Sequence, residues 1–212
     1  MEVKQAMLLY ALTDRAWVGR QTLLEQVEAA LKGGVTCVQL REKHLNATDF
    51  LVEARQIKER CQVYHVPFII NDNVDIALQC DADGVHVGQS DMPAEQVRQL
   101  IGPNKLLGVS VQTIDQAKVA EQAGADYVGV GAVFTTSTKA DAVEVTMDEL
   151  RAISAAIHIP VVAIGGIQEN NMMQLAGTGI DGVAMVSAIF SAEQIEEQTR
   201  TLYRMARELV KE

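Results

Sequence analysis

Three groups of residues in this 212-residue chain have types and spacings suited to chemistry. The first is cationic. Arg41 and Lys43 flank Glu42, and Lys139 lies in the polar run from Thr135 to Glu144. An arginine holds an anion through two parallel hydrogen bonds, and a lysine adds a mobile point charge. Solvated pairing with Glu42 and Asp141 is the competing reading. The second group is a pair of carboxylates, Asp72 and Asp91, set among Asn71, Asn73, Gln89 and Ser90. Such a pair suits Mg²⁺, which takes one or two carboxylates and fills its other positions with water and phosphate oxygens. An Asx turn at Asp72 and a helix cap at Asp91, ahead of Met92-Pro93, compete with that reading. The third group is Gly165-Gly166 followed downstream by Val186-Ser187. Glycines let a backbone approach an oxyanion closely, and the serine adds a donor. Two tight turns would also call for glycine.

No nucleophilic arrangement accompanies these groups. The four histidines are His44, His65, His86 and His158. His65 and His158 precede apolar runs and read as structural. His86 lies inside one, where a hydrogen-bonded core histidine is expected. The chemistry suggested is electrostatic.

The elements that must position these groups are short apolar runs alternating with amphipathic stretches. The runs are 7–12, 37–40, 68–70, 84–87, 106–109, 127–130, 161–164 and 182–186. Most are continuous rather than alternating, as parallel strands buried on both faces require. Helix starts of the capping-box type appear at Thr22-Leu23-Leu24-Glu25, Thr113-Ile114-Asp115-Gln116, Thr146-Met147-Asp148-Glu149 and Ser191-Ala192-Glu193-Gln194. Pro93 fits a first helical position. The last helix is expected from Ala192 to about Val210.

Eight strands and eight helices in strict alternation give about 26 residues per unit, which predicts an α/β fold of the (β/α)8 barrel type. An open doubly wound sheet is the alternative. Asp83-Gly84-Val85, Asp126-Tyr127-Val128 and Asp181-Gly182-Val183 recur roughly every two units, which favours closure. No linker divides the chain, so residues 1–212 are expected to form one domain. The chemical groups then fall after strands 2 to 8, at the face where such barrels carry their sites. The segment from Thr135 to Glu144 is a candidate lid.

Composition bounds the partners. Apolar residues make up 48%, charged residues 22% and aromatics 4%, so the core is built from aliphatic side chains. A net charge of −10 argues against nucleic-acid and anionic-membrane partners. There is no apolar run long enough for a membrane span, and the start lacks a signal-peptide layout. Cys37, Cys61 and Cys80 form no CxxC pair, which fits reduced thiols in the cytoplasm.

Taken together, Val38-Gln39-Leu40-Arg41-Glu42-Lys43, Ile70-Asn71-Asp72, the run from Gly84 to Asp91, and Thr136-Ser137-Thr138-Lys139-Ala140-Asp141 resemble the thiamine phosphate synthase family. Tyr10-Ala11-Leu12-Thr13-Asp14 and Ile164-Gly165-Gly166-Ile167 extend the likeness over nearly the whole chain. The resemblance implies a transferase. It would join 4-amino-2-methyl-5-pyrimidinylmethyl diphosphate to a thiazole phosphate, usually carboxylated, and release diphosphate. It places Gln39, Leu40, Arg41, Glu42, Lys43, Asn71, Ser110 and Lys139 around the pyrimidine diphosphate, with Arg41, Lys43, Ser110 and Lys139 in catalysis. It places Asp72 and Asp91 on Mg²⁺, and Thr136, Ser137, Thr138, Gly166, Val186 and Ser187 around the thiazole phosphate. Small molecules are the implied partners, with a homodimer left open. Ala132 and Thr135 stand where the family often has proline, and Gln112 where it often has histidine. A thiazole tautomerase-like protein and a non-catalytic phosphate-ligand sensor on the same barrel are the alternatives.

Overall fold

The computed structural model describes residues 2–19, 21–135 and 144–211. Eight parallel strands close into a barrel in chain order. They are β1 (Leu9–Leu12), β2 (Cys37–Leu40), β3 (Phe68–Asn71), β4 (Gly84–Val87), β5 (Leu106–Val111), β6 (Tyr127–Val130), β7 (Val161–Ile164) and β8 (Gly182–Met185). The register Tyr10↔Ala184 joins β8 back to β1, which excludes the open-sheet alternative.

Strand alternation sorts side chains into two populations. Leu9, Ala11, Val38, Leu40, Phe68, Ile70, Val85, Val87, Leu107 and Val109 pack outward into one large core with the helices. Tyr10, Leu12, Cys37, Ile69, Tyr127, Val162 and Ala184 fill the bore. A strand covered on both sides needs apolar residues at every position, which explains the unbroken apolar runs.

The surrounding helices are α1 (Val3–Ala6), α2 (Leu23–Gly33), α3 (Ala47–Val63), α4 (Val74–Gln79), α5 (Ala94–Ile101), α6 (Ile114–Gln122), α7 (Met147–Ala156), α8 (Ser187–Phe190) and α9 (Ile195–Leu209). Helix α1 precedes the barrel, and Ala6 and Met7 pack into its lower end, so β1 starts at Leu9 rather than Met7. Both Thr22 and Thr146 form the reciprocal capping box. Thr113 caps α6 on one side only, because Gln116 turns its amide oxygen to the N–H of Gln112 at 2.8 Å. Ser191 does not start a helix. It ends α8, its hydroxyl donating to the Ser187 carbonyl at 2.6 Å, and α9 begins without a side-chain cap at Ile195. Pro93 sits one position earlier than expected, at the N-cap of α5.

The strict alternation fails once. Between β7 and β8 there is only a 3-10 turn, Met172–Leu175. Asn171, at its start, uses its side chain on the Gln168 N–H and the Gly166 carbonyl, at 2.8 and 2.9 Å, instead of capping a helix.

Every even-numbered strand is preceded by a residue that grips the odd strand before it. Thr36, Asp83, Asp126 and Asp181 donate their N–H to the carbonyls of Leu9, Phe68, Leu107 and Val161, at 2.8–2.9 Å. Their side-chain oxygens accept the N–H of the same four residues, at 2.7–2.9 Å. Each aspartate also holds a cation, respectively Lys58, Arg98 and Lys4, at 2.6–2.7 Å. The recurring Asp at positions 83, 126 and 181 is therefore a clamp that sets strand register at the bottom face. This clamp needs an acceptor side chain at one position, and after Asp83 and Asp181 it is followed by a glycine whose Cβ would lie 2.0–2.3 Å from a neighbouring carbonyl.

Candidate active site

A cavity of about 580 Å³ opens at the C-terminal ends of the strands. Gln39, Arg41, Lys43, Asn71, Asp72, Asp91, Ser110, Gly166, Val186 and Ser187 all line it. The side chains of Leu40 and Glu42 do not. Leu40 is fully buried among the outward-facing core residues, because it follows Gln39 on β2 and so points to the opposite face. Glu42 turns away to Arg15, 2.8 Å from its Nε, and Arg15 also reaches Glu53 at 2.6 Å. That pairing fastens the loop after β1 to the loop carrying Arg41 and Lys43. Thr136, Ser137, Thr138 and Lys139, and most of the candidate lid, lie outside the described residues.

On one side of the mouth stand the two carboxylates. Asp72 occupies the left-handed region at φ 60, which aspartate tolerates better than most residues. Its N–H donates to the His86 carbonyl at 2.8 Å. The carboxylate accepts from Asn71 Nδ2 at 2.7 Å and pairs with Lys43. Asn73, not Asp72, caps the next helix. Asp91 Oδ2 accepts the N–H of Gly88 at 2.8 Å, closing its own loop rather than capping α5. Burial holds Asp72 above the usual carboxylate range. Lys43 opposes this shift, and the adjacent Asp91 carboxylate adds to it.

Two facing carboxylates, one of them reluctant to ionise, form a site that gains from a cation. The donors are all oxygens, and no cluster of three His, Cys, Asp or Glu suited to a metal exists among the described residues. A hard cation that keeps water and substrate oxygens in its shell fits this donor set; a fully protein-caged metal does not.

Across the cavity, Gly165 and Gly166 follow β7 with φ of 100 and 66. A Cβ on Gly166 would lie 2.5 Å from the Thr135 carbonyl, so only glycine permits this turn. Ser187 sits on the next loop, and Gln168 Nε2 donates to its Oγ at 2.9 Å. The loops after β7 and β8 thus meet along one side of the cavity. Neither motif nor spacing in the sequence singles out Gln168.

Beneath the mouth, a chain of polar side chains crosses the bore. Gln39 Nε2 donates to Tyr10 Oη at 2.7 Å, and Tyr10 Oη lies 2.8 Å from Tyr127 Oη. Tyr127 Oη lies 3.1 Å from His86 Nδ1, and His86 Nε2 lies 2.9 Å from Ser110 Oγ. Gln39, Tyr10 and Tyr127 are at most 2% exposed. The expectation of a hydrogen-bonded His86 holds, and His86 also lines the cavity. Gln112 donates to the Gly131 carbonyl at 3.4 Å. His65 and His158 are exposed and outside the cavity.

A model of the thiamine monophosphate synthase family matches residues 9–189. The chain belongs to that family. A thiamine-phosphate synthase of Clostridium botulinum is 51% identical over 92% of this chain and 91% of its own. One from Methanobrevibacter smithii is 52% identical over 87% and 88%. The solved thiamine phosphate pyrophosphorylase of Pyrococcus furiosus is 37% identical, covers 98% of this chain and 99% of its own, and superposes with a TM-score of 0.90. Membership makes the chain a transferase of thiamine biosynthesis on a (β/α)8 barrel. Among the described residues no helix is long and apolar enough to cross a membrane.

Proposed function

We propose that the chain joins 4-amino-2-methyl-5-pyrimidinylmethyl diphosphate to a thiazole phosphate, forming thiamine phosphate and releasing diphosphate, with CO₂ when the thiazole is carboxylated. The carrying observation is that one cavity holds a carboxylate pair with two cations on one side and a glycine-serine cradle on the other. A condensation between two phosphorylated substrates needs both.

In this reading Asp72 and Asp91 hold Mg²⁺, which when bound supplies charge neutralisation for the departing diphosphate. Arg41, Lys43 and Lys139 donate hydrogen bonds to the diphosphate as its negative charge grows. Gln39 and Asn71 orient the pyrimidine, and Ser110 donates to the pyrimidine diphosphate. Gly166, the Val186 backbone and Ser187, with Thr136, Ser137 and Thr138, hold the thiazole phosphate. The electron-rich pyrimidine carries the cation left by C–O cleavage, and the thiazole nitrogen then attacks its exocyclic carbon. The closed barrel end keeps bulk water from that cation, so the protein mainly positions and shields. We read residues 1–212 as one domain acting on small molecules in the cytoplasm.

The test is a Mg²⁺ titration of diphosphate release with both substrates present. Release should require Mg²⁺ and both substrates, and thiamine phosphate should form in equal amount. Correctly folded protein that releases none at any Mg²⁺ level would overturn the reading. Asp91→Ala should raise the Mg²⁺ concentration needed for half-maximal rate.

A further inference from the structure

The five polar groups in the bore can share one direction. Gln39 starts the chain with an amide N–H given to Tyr10. When Tyr10, already accepting from Gln39, donates to Tyr127 and Tyr127 donates to His86 Nδ1, each phenol has one bond in and one out. His86 Nδ1 is then an acceptor, so its proton sits on Nε2 and is given to Ser110 Oγ. Ser110 accepts from His86 on one lone pair and turns its O–H into the cavity that it lines.

We propose that Gln39, Tyr10, Tyr127 and His86 form a one-way hydrogen-bonded relay that presents Ser110 as a donor to the pyrimidine diphosphate. The proposal rests on the assignment of Ser110 to that substrate.

Burial keeps both phenols protonated, raising Tyr10 and Tyr127 well above the ordinary tyrosine range. The bore is also cut to admit the chain. A Cβ on Gly108 would lie 2.3 Å from Tyr127 Oη and 2.4 Å from His86 Nδ1, at the Tyr127–His86 link.

Polarity matters because the other arrangement works against the reaction. With the proton on Nδ1, His86 Nε2 would accept from Ser110. The hydroxyl proton would then turn away, leaving lone pairs facing the growing negative charge. A histidine in the wrong tautomer keeps its place and loses its function. Tyr127 and His86 are positioning residues here, acting through Ser110.

Two measurements test this. In ¹⁵N-histidine NMR spectra of the intact protein, His86 should be the Nε2–H tautomer, and Tyr127→Phe should shift it toward Nδ1–H. In steady-state kinetics, Tyr127→Phe should lower kcat about tenfold with little change in either KM, and it should lower kcat no further in a Ser110→Ala background. Should Tyr127→Phe not fold, Tyr10→Phe, one link further from Ser110, is read in the same cycle.

An Nδ1–H tautomer in the wild type overturns the proposal. So do kcat losses that multiply in the double variant, since these would mark a structural role independent of Ser110. Wild-type turnover in Ser110→Ala, with the Nε2–H tautomer present, instead overturns the assignment of Ser110 to the substrate, and the relay's catalytic role with it.

Discussion

The two ends of the barrel use the same kinds of residue to opposite ends. At the bottom, Asp83, Asp126 and Asp181 each take a backbone N–H and a cation in one repeated geometry, so their charge is answered within the fold. At the top, Asp72 and Asp91 face one another, and Asp72 is held above its normal range despite Lys43. Isolated charge at the bottom fixes register, whereas two carboxylates brought together at the top form a pair that a bound cation would relieve. A carboxylate's neighbours, rather than its presence, separate a structural site from a functional one.

The largest expected contrast comes from Lys139→Ala. It should lower kcat by about 100-fold, measured as diphosphate release, and leave Tm unchanged. A fall in Tm with kcat intact would place Lys139 in the structural class. Next is Asp126→Ala at the bottom. It strips the acceptor from the Leu107 N–H and the partner from Arg98, which keeps its carbonyl partners at Gly102, Lys105 and Gly124. The cost should be about 2–3 kcal/mol, seen as a Tm lower by about 5–10 °C, with kcat of the folded enzyme unchanged. Loss of turnover without loss of stability would break the distinction between the ends.

The smallest effect is the most discriminating. Because the folded state raises the Asp72 pKa, ionised Asp72 costs stability above that value, and the cost fades as pH falls below the unfolded carboxylate range. Asp72→Asn should therefore raise Tm slightly at pH 7 in Mg²⁺-free buffer. The gain should shrink toward zero below about pH 4. A lower Tm at pH 7 would mean that the Lys43 pair outweighs burial.

The same division governs what the sequence disclosed. All eight strands were legible from apolar runs, most of them continuous, as were the boxes at Thr22 and Thr146, because these signals are local. The repeating Asp before every second strand gave away closure. The 3-10 turn after β7 was hidden because Asn171 is spent on loop contacts that no periodicity records. Ser191 matched a box pattern, yet its hydroxyl found the Ser187 carbonyl first. At the mouth, Arg41, Lys43, Asp72 and Asp91 stood out as charged residues after strands, although Glu42 shared that look and points to Arg15. The Tyr10–Tyr127 contact joins residues far apart in the chain, and tyrosines in apolar runs look like ordinary core. Nothing short of the closed register brings them together.

Gly108 carries a consequence for how such a protein can change over generations. A side chain at 108 would need the space now held by the Tyr127 hydroxyl and the His86 ring. A larger residue at 108 is therefore tolerated only alongside a smaller one at 86 or 127, whereas either of those can shrink alone. The order of change is thereby fixed: room at 86 or 127 must come before any side chain at 108.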